Sequence, residues 1–177
     1  MKKINSIWGN IFHKKDEPEV DVLSTLKGVP IFRELKTSEI NEFERIVHHR
    51  YYKANETIFW EGEPGVGMYI IQNGEVGIFR GKDTDAEEKL ARLTNGDFFG
   101  DMALLSEAPR SATAVSLTKS HILGLFRPDL FGLLERKPRL GIKVLIKLAD
   151  MIAMRLRNTN EELQILKLKM NKKEILL

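Results

Sequence analysis

The chain has 177 residues, 42% of them hydrophobic and 30% charged, with a net charge of +3; this is the balance of one water-soluble domain with appendages, not of a disordered or fibrous polymer. The absence of cysteine excludes disulfides and thiolate metal sites, and His13, His48, His49 and His121 stand without ligand spacing, so no metal is expected. No run reaches membrane-spanning length, and Asn5, Gly9 and Asn10 break any signal-peptide core behind Lys2 and Lys3, so the expected setting is cytoplasmic.

Residues 1–21 read as an amphipathic segment and linker. Ile4, Ile7, Trp8, Ile11 and Phe12 fall on one helical face bracketed by lysines, while Pro18 and its acidic neighbours interrupt the pattern. Three readings of residues 1–15 stay open: a peripheral helix on acidic lipid, a docking peptide for a partner, or a helix folded back onto its own domain. Residues 22–136 form the expected central domain. Val22, Leu23 and Leu26 suggest a short helix, and Thr37-Ser38-Glu39 opens a second whose inner face is Ile40, Phe43, Ile46 and Val47.

From Thr57 the period changes to short strands divided by turn residues. Six are expected: Thr57–Trp60, Met68–Gln72, Glu75–Arg80, Lys89–Thr94, Ala112–Leu117 and His121–Phe126. Asn73-Gly74 and Asn95-Gly96 carry the signal of two-residue hairpins, and the polar run Gly81 to Glu88 reads as a loose hairpin tip. Strands at this spacing argue for an antiparallel β-roll or jelly-roll barrel, mainly β with flanking helices.

Phe99 to Ala114, FGDMALLSEAPRSATA, is the densest stretch for chemistry. Gly100 permits close backbone approach, and Asp101-Met102-Ala103-Leu104-Leu105 reads as one helical turn whose free N–H groups suit an anion. Arg110 presents a planar two-pronged donor for phosphate oxygens, and Asp101 is an acceptor for a sugar hydroxyl. The run resembles the phosphate-binding cassette of cyclic-nucleotide-binding domains, as in protein kinase A regulatory subunits, cyclic-nucleotide-gated channels and catabolite activators. The family pattern is Phe-Gly-Glu-x-Ala-Leu, then Pro-Arg-x-Ala-Thr; Phe99, Gly100, Ala103, Leu104, Pro109, Arg110, Ala112 and Thr113 match it, and Asp101 replaces the glutamate. The resemblance extends to Pro30, Phe32 and Leu35 between the first two helices, and to the turn Glu61-Gly62-Glu63-Pro64-Gly65, where Val66 replaces a common Asp.

Arg127-Pro128-Asp129 starts a third helix, ended near Lys137-Pro138. Residues 137–177 are the expected lid and dimerisation helix, running from about Arg139 toward Lys173. Leu145, Leu148, Ile152, Leu156, Thr159, Leu163, Leu166 and Met170 recur at three- and four-residue steps, a coiled-coil seam with one slip in phase, and a second copy of the chain is the simplest cover. From Arg136 onward eleven Lys/Arg stand against four Asp/Glu, a basic balance that Glu161, Glu162 and Glu174 interrupt, as on a solvated helix face.

Arg155-Leu156-Arg157-Asn158-Thr159-Asn160 is similar to the catabolite activators' dimer helix, which implies that Arg155 braces Asp101 while Thr159 and Asn160 approach the purine, one of them from the other subunit. The resemblance thus implies a ligand set of Gly100, Asp101, Met102, Ala103, Arg110, Ser111, Arg155, Thr159 and Asn160. The ligand expected is cAMP ahead of cGMP, since members that prefer cGMP often carry Thr where Ser111 stands. No cofactor is expected beyond that ligand, nor catalysis, for no activated nucleophile or acid–base pair is evident. The catabolite activators follow this helix with a helix-turn-helix domain; the sequence stops at Leu177, so DNA reading is not expected. The expected function is a cyclic-nucleotide-binding regulator in signal transduction, coupling the ligand to its C-terminal helix and an unknown downstream protein. The alternative is a degenerate fold serving as a protein-interaction or membrane-tethered scaffold module.

Overall fold

A computed structural model describes residues 21–174. The amphipathic segment read over residues 1–15 and most of its linker lie outside the described residues.

Two short helices come first among the described residues. In α1 (Val22–Gly28) both carboxylate oxygens of Asp21 accept from free N–H groups, those of Leu23 at 3.2 Å and Ser24 at 3.3 Å. In α2 (Thr37–Glu44) the Glu39 carboxylate reaches back to the Lys36 N–H at 2.9 Å. Eight strands follow: β1 (His48–Tyr52), β2 (Glu56–Phe59), β3 (Gly67–Asn73), β4 (Val76–Arg80), β5 (Glu88–Leu93), β6 (Phe98–Phe99), β7 (Thr113–Ser116) and β8 (Ser120–Phe126). They form two antiparallel four-stranded sheets, ordered β1-β8-β3-β6 and β2-β7-β4-β5. A 3-10 turn (Asp101–Leu104) lies between β6 and β7, and α3 (Arg127–Arg136) and α4 (Pro138–Glu174) follow β8. This is the expected β-roll with helices at both ends.

The six expected strands are present within a residue or so of their expected ends, and two more appear. β1, HHRYY, is a mostly exposed edge strand with no apolar alternation to announce it. β6 has only two residues and exists because it pairs with Tyr69 and Ile70 of β3. The two Asn-Gly signals do not make hairpins. β3 and β4 lie in different sheets, as do β5 and β6, so these turns carry the chain across the roll. Gly74 and Gly96 take the positive φ, 108° and 86°, while Asn73 stays in β3. The turns also hold each other, with the Gly74 N–H donating to Asn95 Oδ1 at 2.8 Å. The true hairpin is β4–β5, closed by the polar tip after Arg80.

Two apolar layers explain why β3 is buried along most of its length. Tyr69 and Ile71 face the interior of the roll with Phe99, Ala114 and Ile122, while Met68 and Ile70 face the helices with Leu123 and Leu125. A strand covered on both faces loses its period-two signature. The helical layer includes Leu104 of the 3-10 turn, Leu130 and Leu133 of α3, and Leu140, Val144 and Leu148 of α4. The 3-10 turn, α3 and the first half of α4 therefore share one core.

α4 has 37 residues, about 55 Å at 1.5 Å per residue. Its first turns are packed on the domain and linked to α2 by Lys143–Glu39 at 2.6 Å, with Lys137, between α3 and α4, adding a bridge to Glu42 at 2.8 Å. After Met151 every residue through Lys169 is exposed. The expected seam divides there. Leu145 and Leu148 serve the chain's own core, whereas Ile152, Leu156, Leu163 and Leu166 stay uncovered. The slip in phase, two successive four-residue steps from Leu148 to Leu156, falls at that division.

Candidate functional site

Gly100 has a left-handed backbone, φ 70° and ψ 17°, and starts the 3-10 turn. A Cβ at this position would stand 2.6 Å from Arg110 Nη1, so both the conformation and the close approach require glycine. Arg110 returns to this point because its own backbone is tied to the turn after β2. Its N–H donates to Glu63 O, and its carbonyl accepts from Gly62, each at 2.8 Å. Pro109 bridges to Pro64 alongside.

The Arg110 side chain is 7% exposed. Nη1 donates to Gly100 O at 3.2 Å and Nη2 to Gly67 O at 2.9 Å. The guanidinium lies 4.1 Å from the Phe59 ring centre and 5.6 Å from that of Tyr69, an arrangement that favours a cation. Nε has no hydrogen-bond partner among the described residues, and no carboxylate pairs with the charge among them. Burial pushes the guanidinium below its ordinary pKa, with Tyr69 and Glu63 opposing, and burial raises the Tyr69 phenol. A guanidinium carries five N–H donors, so this cation retains donors for an anion, and a buried charge without a counter-charge is costly.

Asp101 opens the turn and is also 7% exposed. Arg155 Nη1 of α4 lies 3.1 Å from its Oδ1 and 3.0 Å from its Oδ2. One arginine thus joins the long helix to the turn.

These groups border a cavity of about 290 Å³ lined by Gly100, Asp101, Met102, Ala103, Arg110, Ser111 and Arg155 of the expected set, near the small end of ligand pockets. Its apolar wall is Phe59, Ile78, Leu93, Phe98 and Phe99. Met102 sits at the rim, 58% exposed. Thr159 and Asn160 are exposed and do not line the cavity; Thr159 lies one helical turn beyond Arg155. Among the described residues no group of three or more His, Asp or Glu side chains is placed to hold a metal ion, and no helix is long and apolar enough to cross a membrane.

The sequence reading missed Phe59, which stacks on Arg110, and Arg127, which holds the underside of the 3-10 turn. Arg127 stands before Pro128, where the pair signals only a helix start. Its bonds to Gly65, Ala103 and Ser106 exist only once the roll has closed.

Comparison with known proteins bears on the family and the fold. A model of the cyclic nucleotide-binding domain matches residues 49–137. The cyclic AMP receptor protein of Thermus thermophilus is 36% identical over 141 residues, covering 80% of this chain and 63% of that one. A cAMP-dependent protein kinase regulatory subunit from Hypocrea atroviridis is 32% identical over 133 residues, 71% of this chain and 28% of the relative. The chain thus spans less than two thirds of either relative. The crystal structure of the Thermus thermophilus catabolite activator protein superposes with a TM-score of 0.70 at 36% identity, covering 78% of this chain and 63% of that one.

Proposed function

Because the chain belongs to the cyclic nucleotide-binding domain family, we propose that its cavity takes a cyclic nucleotide, cAMP ahead of cGMP, and that the chain acts as a regulatory receptor, not as an enzyme. The observation that carries this reading is Arg110, a buried cation with no carboxylate partner among the described residues and with an Nε that has no acceptor among them. A cyclic phosphodiester is a compact monoanion that supplies the missing charge and acceptors. Asp101 accepts a hydrogen bond from the ribose 2′-hydroxyl, and Arg155 holds that carboxylate in place. The aromatic and aliphatic wall covers the remaining apolar surface of the ligand. The preference for cAMP rests on Ser111 in the place where cGMP-preferring members often carry Thr.

Binding here is regulatory only if it favours one arrangement of α4 over another, by no more than the difference in affinity between them. Arg155 makes that difference available, since it touches the ligand-binding carboxylate from α4. The uncovered seam Ile152, Leu156, Thr159, Leu163 and Leu166 alternates four- and three-residue steps, the spacing of a two-stranded coiled coil. We therefore take the working form to be a homodimer through α4, with Thr159 and Asn160 brought to a base by the partner helix.

A second reading draws on Asp101. Its carboxylate is one methylene shorter than the family's glutamate and is already engaged by Arg155, as in a cassette that has become an interaction module. Titration calorimetry with cAMP, cGMP and cyclic dinucleotides separates the two. The receptor reading expects saturable heat with cAMP that vanishes in Arg110→Ala, with the fold retained by circular dichroism. Equal binding by parent and variant refutes the assignment of the site, and no heat with any cyclic nucleotide leaves the interaction module.

A further inference from the structure

Two arginines grip the 3-10 turn from its two ends. Arg110 takes Gly100 O at the start of the turn, and Arg127 takes Ala103 O and Ser106 O at its close: Nε to Ala103 at 3.1 Å, Nη2 to Ala103 at 2.9 Å and to Ser106 at 2.6 Å. Both arginines also hold the strand entry that faces the turn. Arg127 Nη2 donates to Gly65 O at 2.8 Å, the Arg127 backbone N–H to Val66 O at 2.9 Å, and Arg110 Nη2 to Gly67 O at 2.9 Å. Three consecutive carbonyls are therefore bound by the same two residues that bind the turn. The fit is close enough that a Cβ on Gly65 would stand 2.7 Å from Ala103 Cβ.

Arg127 is also the first residue of α3, and α3 packs on α4, where Gly141 leaves room for Leu134. Its one carboxylate contact among the described residues, Glu107 at 2.9 Å, is to an exposed side chain, and such a pair contributes little. The bonds that matter are those to carbonyls, which the planar guanidinium reaches from two nitrogens held in a fixed fork, where a lysine offers a single ammonium.

We propose that Arg127 is a positioning residue that passes occupancy of the cavity into the C-terminal helices. This rests on the cyclic-nucleotide reading above. An anion bound through the remaining donors of Arg110 draws the guanidinium toward itself and strains its bonds to Gly100 O and Gly67 O, which frees the leading end of the turn to shift. The trailing end stays fastened to Arg127, so the shift is delivered to the first turn of α3 and from there to α4. Arg155 links the Asp101 carboxylate to the outer part of α4; Arg127 acts at the other end of the same helical unit.

The test is hydrogen exchange by mass spectrometry, with and without saturating cAMP, on the parent and Arg127→Lys, alongside calorimetry. In the parent, cAMP is expected to change exchange by about threefold or more both in residues 101–106 and in 127–136. In Arg127→Lys, binding is expected to persist within about tenfold and the change over 101–106 to remain, while that over 127–136 disappears. Equal responses of 127–136 in parent and variant overturn the inference and leave the receptor reading intact. So does a folded variant that loses binding outright, since Arg127 then belongs to the site itself. A parent in which cAMP alters 101–106 and leaves 127–136 unchanged overturns it without any variant, which decides the matter if Arg127→Lys does not fold. A parent with neither heat nor exchange change refutes the receptor reading and this inference with it.

Discussion

Gly100→Ala tests the geometry of the anion site most directly, because Gly96→Ala supplies a matched control. Both glycines have positive φ, 70° and 86°, but a Cβ on Gly96 meets nothing within 4 Å, whereas one on Gly100 would stand 2.6 Å from Arg110 Nη1. Each substitution forces an L-residue into the left-handed region at about 1–2 kcal/mol. For a chain of this size that lowers the melting temperature by roughly 2–8 °C. Only Gly100→Ala also displaces the guanidinium, by most of an ångström if Cβ is to reach an ordinary contact distance. Its bond to Gly100 O at 3.2 Å is lost, and the aim of its remaining donors changes. A charge-assisted hydrogen bond contributes about 1.5–3 kcal/mol, so cAMP affinity should fall roughly ten- to a hundredfold. Thermal melts and calorimetry on both variants measure the two effects separately. Gly96→Ala should melt lower and bind as the parent does. If Gly100→Ala also binds as the parent does, Arg110 does not hold the ligand's charge.

Asp101→Glu restores the family's longer carboxylate and should tighten cAMP binding by about five- to thirtyfold, or roughly 1–2 kcal/mol; unchanged calorimetric affinity would show that Asp101 does not reach the ribose. The double variant Leu156→Glu, Leu163→Glu places carboxylates in the α4 seam, and sedimentation equilibrium should show the parent dimer reduced to monomer, whereas a monomeric parent refutes the seam. A pH effect follows from His121. Burial, and after it the His49 charge, holds this imidazole below its ordinary 6.5, with His49 Nδ1 2.9 Å from its Nε2 and the Tyr51 ring stacked on it at 4.2 Å. The folded chain refuses a proton that the unfolded chain accepts, so stability should fall as pH drops below about 6.5 and level off below the depressed folded value. His121→Gln should flatten that part of a melting-temperature profile. Glu39, held below 4.5 by its bonds to Lys143 and Lys36, contributes stability that is lost only at lower pH, as pH falls through its folded value. A parent with equal melting temperatures at pH 7 and pH 5.5 contradicts the assignment.

Local chemistry alone made much of this protein legible. The strand periods from Thr57, the polar tip after Arg80, the proline boundary at Pro138 and the run Phe99 to Ala114 each depend on residues close together in sequence, as do the propensities that read them. The cassette was legible for the same reason, since Gly100 and Arg110 are ten residues apart. What the tertiary structure decided depends on partners far along the chain. β1 is a strand because β8 pairs with it, and the Asn-Gly turns cross between sheets because β4 pairs with β5 and β7, not with β3. Phe59 becomes the platform for Arg110, and Arg127 becomes the latch of the turn, only after closure of the roll brings residues 59 and 110, or 65 and 127, into contact. The seam of α4 shows both sides of the division. Its apolar spacing is written in the sequence, but Leu148 and Ile152 have nearly equal claim to it. Only the packed domain settles which is buried, because its own core ends at Met151, beyond which α4 is exposed.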